Sequence, residues 1–142
     1  MKRFLLLVAV VSTLSLGAFA QCATYPCVVS ATTLTKQTHA IPLTTLYTPV
    51  VEGTFRITAY LTTGKPTSTG PEEWEGHFLW NDGLRTGHWG LATATNPGTS
   101  AGNATIIVHA IADQPIEYRT DLVDGTIGGQ RYDLYIVVEQ LQ

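Results

Sequence analysis

Thr54-Phe55-Arg56-Ile57-Thr58-Ala59-Tyr60-Leu61-Thr62 is the stretch that decides the fold class. Phe55, Ile57, Ala59 and Leu61 fall on one side of an extended chain, with Thr54, Arg56, Thr58, Tyr60 and Thr62 on the other. Alternation with period two is the pattern of a strand that gives one face to a core. The same period recurs between turn-forming residues. It predicts strands over Val28–Thr33, Ile41–Thr48, Thr54–Thr62, Gly76–Trp80, Leu84–Thr95, Ala104–Ala112, Ile116–Leu122 and Tyr132–Gln140. No stretch of ten residues keeps a helical period without a Gly, Pro or β-branched interruption. The 21 Thr beyond residue 20 suit a pleated surface better than a helix. Thr63–Glu75 and Asn96–Asn103 read as loops, and Asn81-Asp82-Gly83 as a tight hairpin turn. Gly87 and Gly90 read as bulges, and Asp124-Gly125 and Gly128-Gly129 punctuate the last connection. The fold class is therefore all-β: an antiparallel two-sheet β-sandwich of about eight strands, a jelly roll or another Greek key.

The first twenty residues belong to targeting. Lys2 and Arg3, the apolar run Phe4–Val11 and the small-residue site Ala18-Phe19-Ala20 have the layout of a signal peptide over 1–20. The expected product is secreted or periplasmic, with no membrane insertion after cleavage. It comprises an N-terminal segment over 21–40 and a sandwich domain over 41–142. Cys22 and Cys27 are the only cysteines, and an oxidising compartment favours their disulfide. Their C-x4-C spacing pins the turn at Tyr25-Pro26 and lacks the C-x-x-C pattern of a redox pair. Without the leader, six basic residues face eleven acidic ones, a net charge of −5. Lys36, Arg56, Lys65, Arg85, Arg119 and Arg131 are scattered singly. Nucleic acid and anionic membrane need clustered cations and are therefore poor partners.

Several strands carry apolar residues on both faces. Ile106, Val108 and Ala110 line one side of the sixth, while Ile107 and Ile111 lie on the other with His109 between them. In the eighth, Tyr132, Leu134, Ile136 and Val138 form the core side, and Tyr135 and Val137 join Asp133 and Glu139 opposite. Tyr60 is on the nominally outer face of the third. Either the chain's own N-terminal segment or long loop covers this second face, or a partner does. For a partner, a closed homo-oligomer or another extracellular protein is expected. Tyr60, Ile107, Ile111, Tyr135 and Val137 are the predicted interface residues.

Pro49-Val50-Val51-Glu52-Gly53-Thr54-Phe55-Arg56-Ile57 resembles the Pro-x-x-x-Gly-x-aromatic-x-aliphatic lead into a central strand of C1q/TNF-like jelly-roll heads. Tyr132-Asp133-Leu134-Tyr135-Ile136 is similar to their last strand. The resemblance covers about a quarter of the chain beyond the leader and implies a sandwich. In that family identical heads pack as trimers through an aromatic-bearing sheet, but no collagen-like or coiled-coil stalk is present here.

Catalytic patterns are weak, and an enzyme (a small secreted hydrolase) is the distant alternative. Glu72, Glu73 and Glu75 beside Trp74 read as a solvated acidic loop, not as a carboxyl pair about 5–9 Å apart in a rigid cleft. No G-x-S-x-G occurs, and no H-x-H, H-E-x-x-H or EF-hand-like spacing. His77 and His88 flank one hairpin and with Asp82 would make an incomplete metal site, so no metal or cofactor is expected. Trp74, Trp80 and Trp89 fall close together, and flat indoles stack on sugar rings. A carbohydrate-binding module using these three, with Asn81, Asp82, Arg85 and His88 nearby, is the alternative to a non-catalytic sandwich acting by surface contact. Trp74 is expected to be the exposed one. Asn103-Ala104-Thr105 matches the N-glycosylation sequon.

Overall fold

The structure, a computed structural model, describes residues 22–64, 73–92, 100–124 and 131–142. The expected leader, most of the Thr63–Glu75 loop and the Gly125 and Gly128-Gly129 punctuation lie outside the described residues. The elements in chain order are β1 (Cys27–Gln37), β2 (Thr44–Tyr47), β3 (Gly53–Thr63), β4 (Glu73–Asn81), β5 (Thr86–Ala92), β6 (Ser100–Ala110), β7 (Ile116–Asp124) and β8 (Tyr132–Gln140). They form two four-stranded antiparallel sheets, ordered β1-β8-β3-β6 and β2-β7-β4-β5. Apart from the β4–β5 hairpin, consecutive strands lie in different sheets. The result is a jelly-roll sandwich, and the fold class read from alternation holds.

The core lies where the two inner faces meet. β3 contributes Phe55, Ile57, Ala59 and Leu61, and β8 contributes Tyr132, Leu134, Ile136 and Val138; all are at most 2% exposed. Trp74 and Phe78 of β4, Ile116 and Tyr118 of β7, and Leu46 of β2 close the opposite side. Complete burial of each large apolar side chain is worth about 1.5–3 kcal/mol, so the alternation in β3 and β8 is the main local instruction for the fold. Pro49 to Ile57 leads into β3, which lies between β8 and β6 as a central strand.

Several expected boundaries move. β1 pairs with β8 along its length, so the sandwich begins at Cys27 and not at 41. β1 extends the edge of its sheet and does not fold over the sheet's outer face. Cys22 and Cys27 are bonded just ahead of it, with Cα atoms 6.0 Å apart. β4 begins at Glu73, three residues earlier than expected, because Trp74, Gly76 and Phe78 share the core-facing parity. Gly87 and Gly90 are not bulges: they pair in unbroken register with Trp80 and His77. The hairpin turn runs over four residues, 82–85, with the Asp82 amide donating to the Arg85 carbonyl at 3.2 Å. Gly83 supplies the positive φ of 87° that this turn needs.

A buried hydroxyl pair ties the β1–β2 connection to the core. The Tyr132 hydroxyl donates to the His39 carbonyl (2.9 Å) and lies 2.6 Å from Thr120 Oγ1. Thr120 Oγ1 also accepts from the Ile41 amide at 2.8 Å. With the Tyr132 proton given to His39, Thr120 is the donor between the two hydroxyls. Burial raises the Tyr132 pKa above its ordinary value, and the hydrogen bond from Thr120 offsets part of that rise.

Candidate interaction surfaces

The outer face of the β1-β8-β3-β6 sheet is built by the alternate residues of four strands. In register, one row across it is Val28, Glu139, Arg56 and Ile107. The next is Ala31, Val137, Thr58 and Thr105, and the third Thr33, Tyr135, Tyr60 and Asn103. Among these twelve positions Arg56 and Glu139 carry the only charges, and Arg56 Nε bonds Glu139 Oε2 at 2.7 Å. The guanidinium hydrogen bond, more than the charge itself, holds the Glu139 carboxyl below its ordinary range. The rest is threonine, Asn103, aliphatic residues and two tyrosines whose ring centroids are 6.1 Å apart.

Of the five residues singled out for an interface, the structure puts four on this face. Ile107 is 66% exposed, Tyr60 43% and Tyr135 38%, while Val137 is half-buried between them. Val28, which sequence reading passed over, joins them at 60%. Ile111 does not. It follows the end of β6, where its amide donates to the Asn81 carbonyl and its side chain packs by Gly83, half-buried at the hairpin. Parity carried past the end of a strand misplaces it. Asn103 of the sequon is exposed beside Tyr60. Exposed apolar residues elsewhere, such as Leu43 and Leu84 in connections and Val123 in β7, lie off this face and are ordinary surface features.

The three tryptophans separate. Trp74, expected in the open, is wholly buried with its ring centroid 4.4 Å from that of Tyr132. The polar company of Glu73 and Glu75 hid its inward parity. Trp89 lies across the pairing from Phe78, their ring centroids 6.4 Å apart. Trp80 packs partly on the core and borders two open grooves. One, of about 140 Å³, is lined by Leu79, Asn81, Thr86, Gln114, Pro115 and Glu117 as well as the indole. The other, of about 270 Å³, runs along Arg85, Thr86, Gly87 and His88. A Cβ on Gly87 would fall 2.2 Å from Trp80 Cε2, so the indole occupies the space that this glycine leaves.

The histidines meet, but away from Asp82. His77 Nδ1 is 3.0 Å from His88 Nε2, with the rings stacked at 18°. His77 Nε2 faces Glu75 Oε2 at 3.3 Å and Asp121 Oδ2 at 3.2 Å, and Arg119 Nε approaches the same Asp121 oxygen at 3.1 Å. Both ring nitrogens of His77 thus have partners. Among the described residues no group of three or more His, Cys, Asp or Glu could hold a metal ion. Asp82 instead accepts from the amides of Leu84 (2.9 Å) and Arg85 (2.8 Å), and these two bonds lower its pKa.

No family model matches the chain, and no curated protein does. Similar solved structures include the globular domain of zebrafish complement 1qA protein, at 10% identity and a TM-score of 0.48, covering 79% of this chain and 95% of that one. Another is the Eiger TNF of S. frugiperda, at 10% identity and a TM-score of 0.42, covering 80% and 92%. The two are a C1q and a TNF domain, the same two names as in the resemblance of Pro49–Ile57 and Tyr132–Ile136.

Proposed function

We propose that this chain is an extracytoplasmic, non-catalytic sandwich that acts by surface contact, joining further copies of itself through the outer face of the β1-β8-β3-β6 sheet. The observation that carries the proposal is the row-by-row composition of that face: twelve positions, a single ion pair, and Ile107, Tyr60, Tyr135 and Val28 left open. These twelve positions, whose two charges cancel, can meet an identical set without stranding a charge, which is the condition for a self-complementary contact. Tyrosines suit the centre of such contacts because they bring large area on few rotatable bonds. The leader and the Cys22–Cys27 bond support the compartment.

The test is the mass of the mature chain at micromolar concentration by sedimentation or light scattering. An oligomer is expected, and Tyr135→Asp and Ile107→Lys are expected to reduce it to monomers with an unchanged circular dichroism spectrum. Lysine is chosen at 107 because Arg56 lies beside it and would shelter an aspartate. An unpaired charge buried at a contact costs several kcal/mol, enough to dissolve a micromolar assembly. Val123→Asp, on the other sheet, serves as the control and leaves the mass unchanged. A strictly monomeric wild type refutes the proposal.

A further inference from the structure

We propose that the half-exposed indole of Trp80, with Asn81, Arg85, Thr86, Gln114 and Glu117 around it, is a binding site for a single neutral sugar ring. Of the three tryptophans, Trp74 is sealed in the core and Trp89 is set against Phe78, while Trp80 borders two open grooves. The indole is held from behind. Its ring lies against the backbone of Gly87, where any side chain would displace it, so the aromatic plane is fixed before a ligand arrives. Fixing a contact group in advance lowers the entropy that binding must overcome.

The polar groups around the ring form a mixed set. Glu117 accepts, Arg85 donates, and Thr86 and Gln114 do both. Asn81 Oδ1 is engaged by the Gly83 amide at 2.8 Å, which leaves its Nδ2 as the group that can donate to a ligand. Among the described residues the side chains of Thr86, Gln114 and Glu117 have no hydrogen-bond partner of their own. Arg85 stands 3.5 Å from Asp82, so its positive charge is already answered, and the Glu117 carboxylate leaves the site one net negative charge, which turns anionic ligands away. A neutral ligand rich in hydroxyls and carrying one C–H face matches donors and acceptors set beside a flat aromatic; pyranosides are that class. Grooves of about 140 and 270 Å³ fall below the roughly 300–1,000 Å³ of drug-sized pockets, which suits an occupant of a single ring.

The site lies on the hairpin sheet and is independent of the association face, so either can fail alone. The experiment titrates the mature chain with the methyl glycosides of glucose, galactose, mannose, fucose and N-acetylglucosamine. Saturation-transfer NMR and tryptophan fluorescence are read together. At least one glycoside is expected to saturate with a dissociation constant on the order of 1 mM, with transfer strongest to its ring C–H protons. Gln114→Ala and Glu117→Gln lie outside the core and are expected to weaken binding about tenfold each. No saturable signal from any glycoside up to about 50 mM would overturn the proposal, a ceiling well beyond the dissociation constants such a site supports. So would undiminished affinity in both variants.

Discussion

Replacing Gly87 by alanine puts one methyl group into space that the Trp80 ring already fills. The new carbon would lie 2.2, 2.3 and 2.7 Å from Trp80 Cε2, Cζ2 and Nε1, all members of a rigid ring. The indole has only two torsions with which to move, and it must leave its seat. Overpacking of this kind costs about 1–3 kcal/mol. Gly90, three residues along the same strand, supplies the internal control: its Cβ would sit 3.5 Å from His77 Nδ1, an ordinary contact. Neither glycine needs a positive φ, so Gly90→Ala is expected to gain about 0.4–1 kcal/mol by restricting the unfolded chain. Urea unfolding followed by tryptophan fluorescence separates the two. With an m-value of about 2 kcal/mol/M, Gly87→Ala lowers the midpoint by roughly 0.5–1.5 M while Gly90→Ala raises it slightly. The native emission of Gly87→Ala also shifts to the red as Trp80 is forced into water. Equal midpoints for the two variants would refute the packing argument.

Tyr132→Phe removes the hydroxyl that donates to the His39 carbonyl and accepts from Thr120, and is expected to cost about 1–2 kcal/mol in the same urea assay; an unchanged midpoint would show that water replaces it. The Arg56–Glu139 pair would give the proposed association a pH dependence with a definite sign. Glu139 has a depressed folded pKa, so the pair's contribution is complete above the carboxyl's ordinary 4.5 and disappears as pH falls through the lowered folded value. Sedimentation from pH 7 down to pH 3 is expected to show dissociation below that ordinary value, with Arg56 left as a lone cation on the face. Glu139→Gln should show the weakened state already at neutral pH, and a variant that associates like the wild type at pH 7 would detach the ion pair from assembly.

Legibility in the sequence follows the range of the cause. β3 and β8 were readable because a buried strand writes its two faces into adjacent letters, and Phe55 to Leu61 and Tyr132 to Val138 do so without exception. β4 was half readable: Glu73 and Glu75 beside Trp74 mimic a solvated loop, and only pairing with β7 draws that stretch into the sheet. Gly87 was misread because glycine in a strand marks either a bulge or a close approach, and the approaching ring of Trp80 comes from the facing strand. The His77, His88, Glu75 and Asp121 cluster was invisible as a whole. It exists because β4 is flanked by β5 on one side and β7 on the other, and no spacing along the chain encodes both neighbours.

Asn103 has a practical consequence for anyone preparing this protein. Its side chain is exposed on β6 in the same row as Tyr60 and Tyr135. An oligosaccharide attached there would rise from the contact area like a post in a doorway and hold neighbouring molecules apart. Under the proposed association, material made in yeast or animal cells with Asn103 modified and material made in bacteria would be different objects, one capped and solitary, the other free to assemble. The choice of expression host then becomes an experimental variable, and enzymatic removal of such a glycan would be a switch that restores the proposed self-contact without altering the fold.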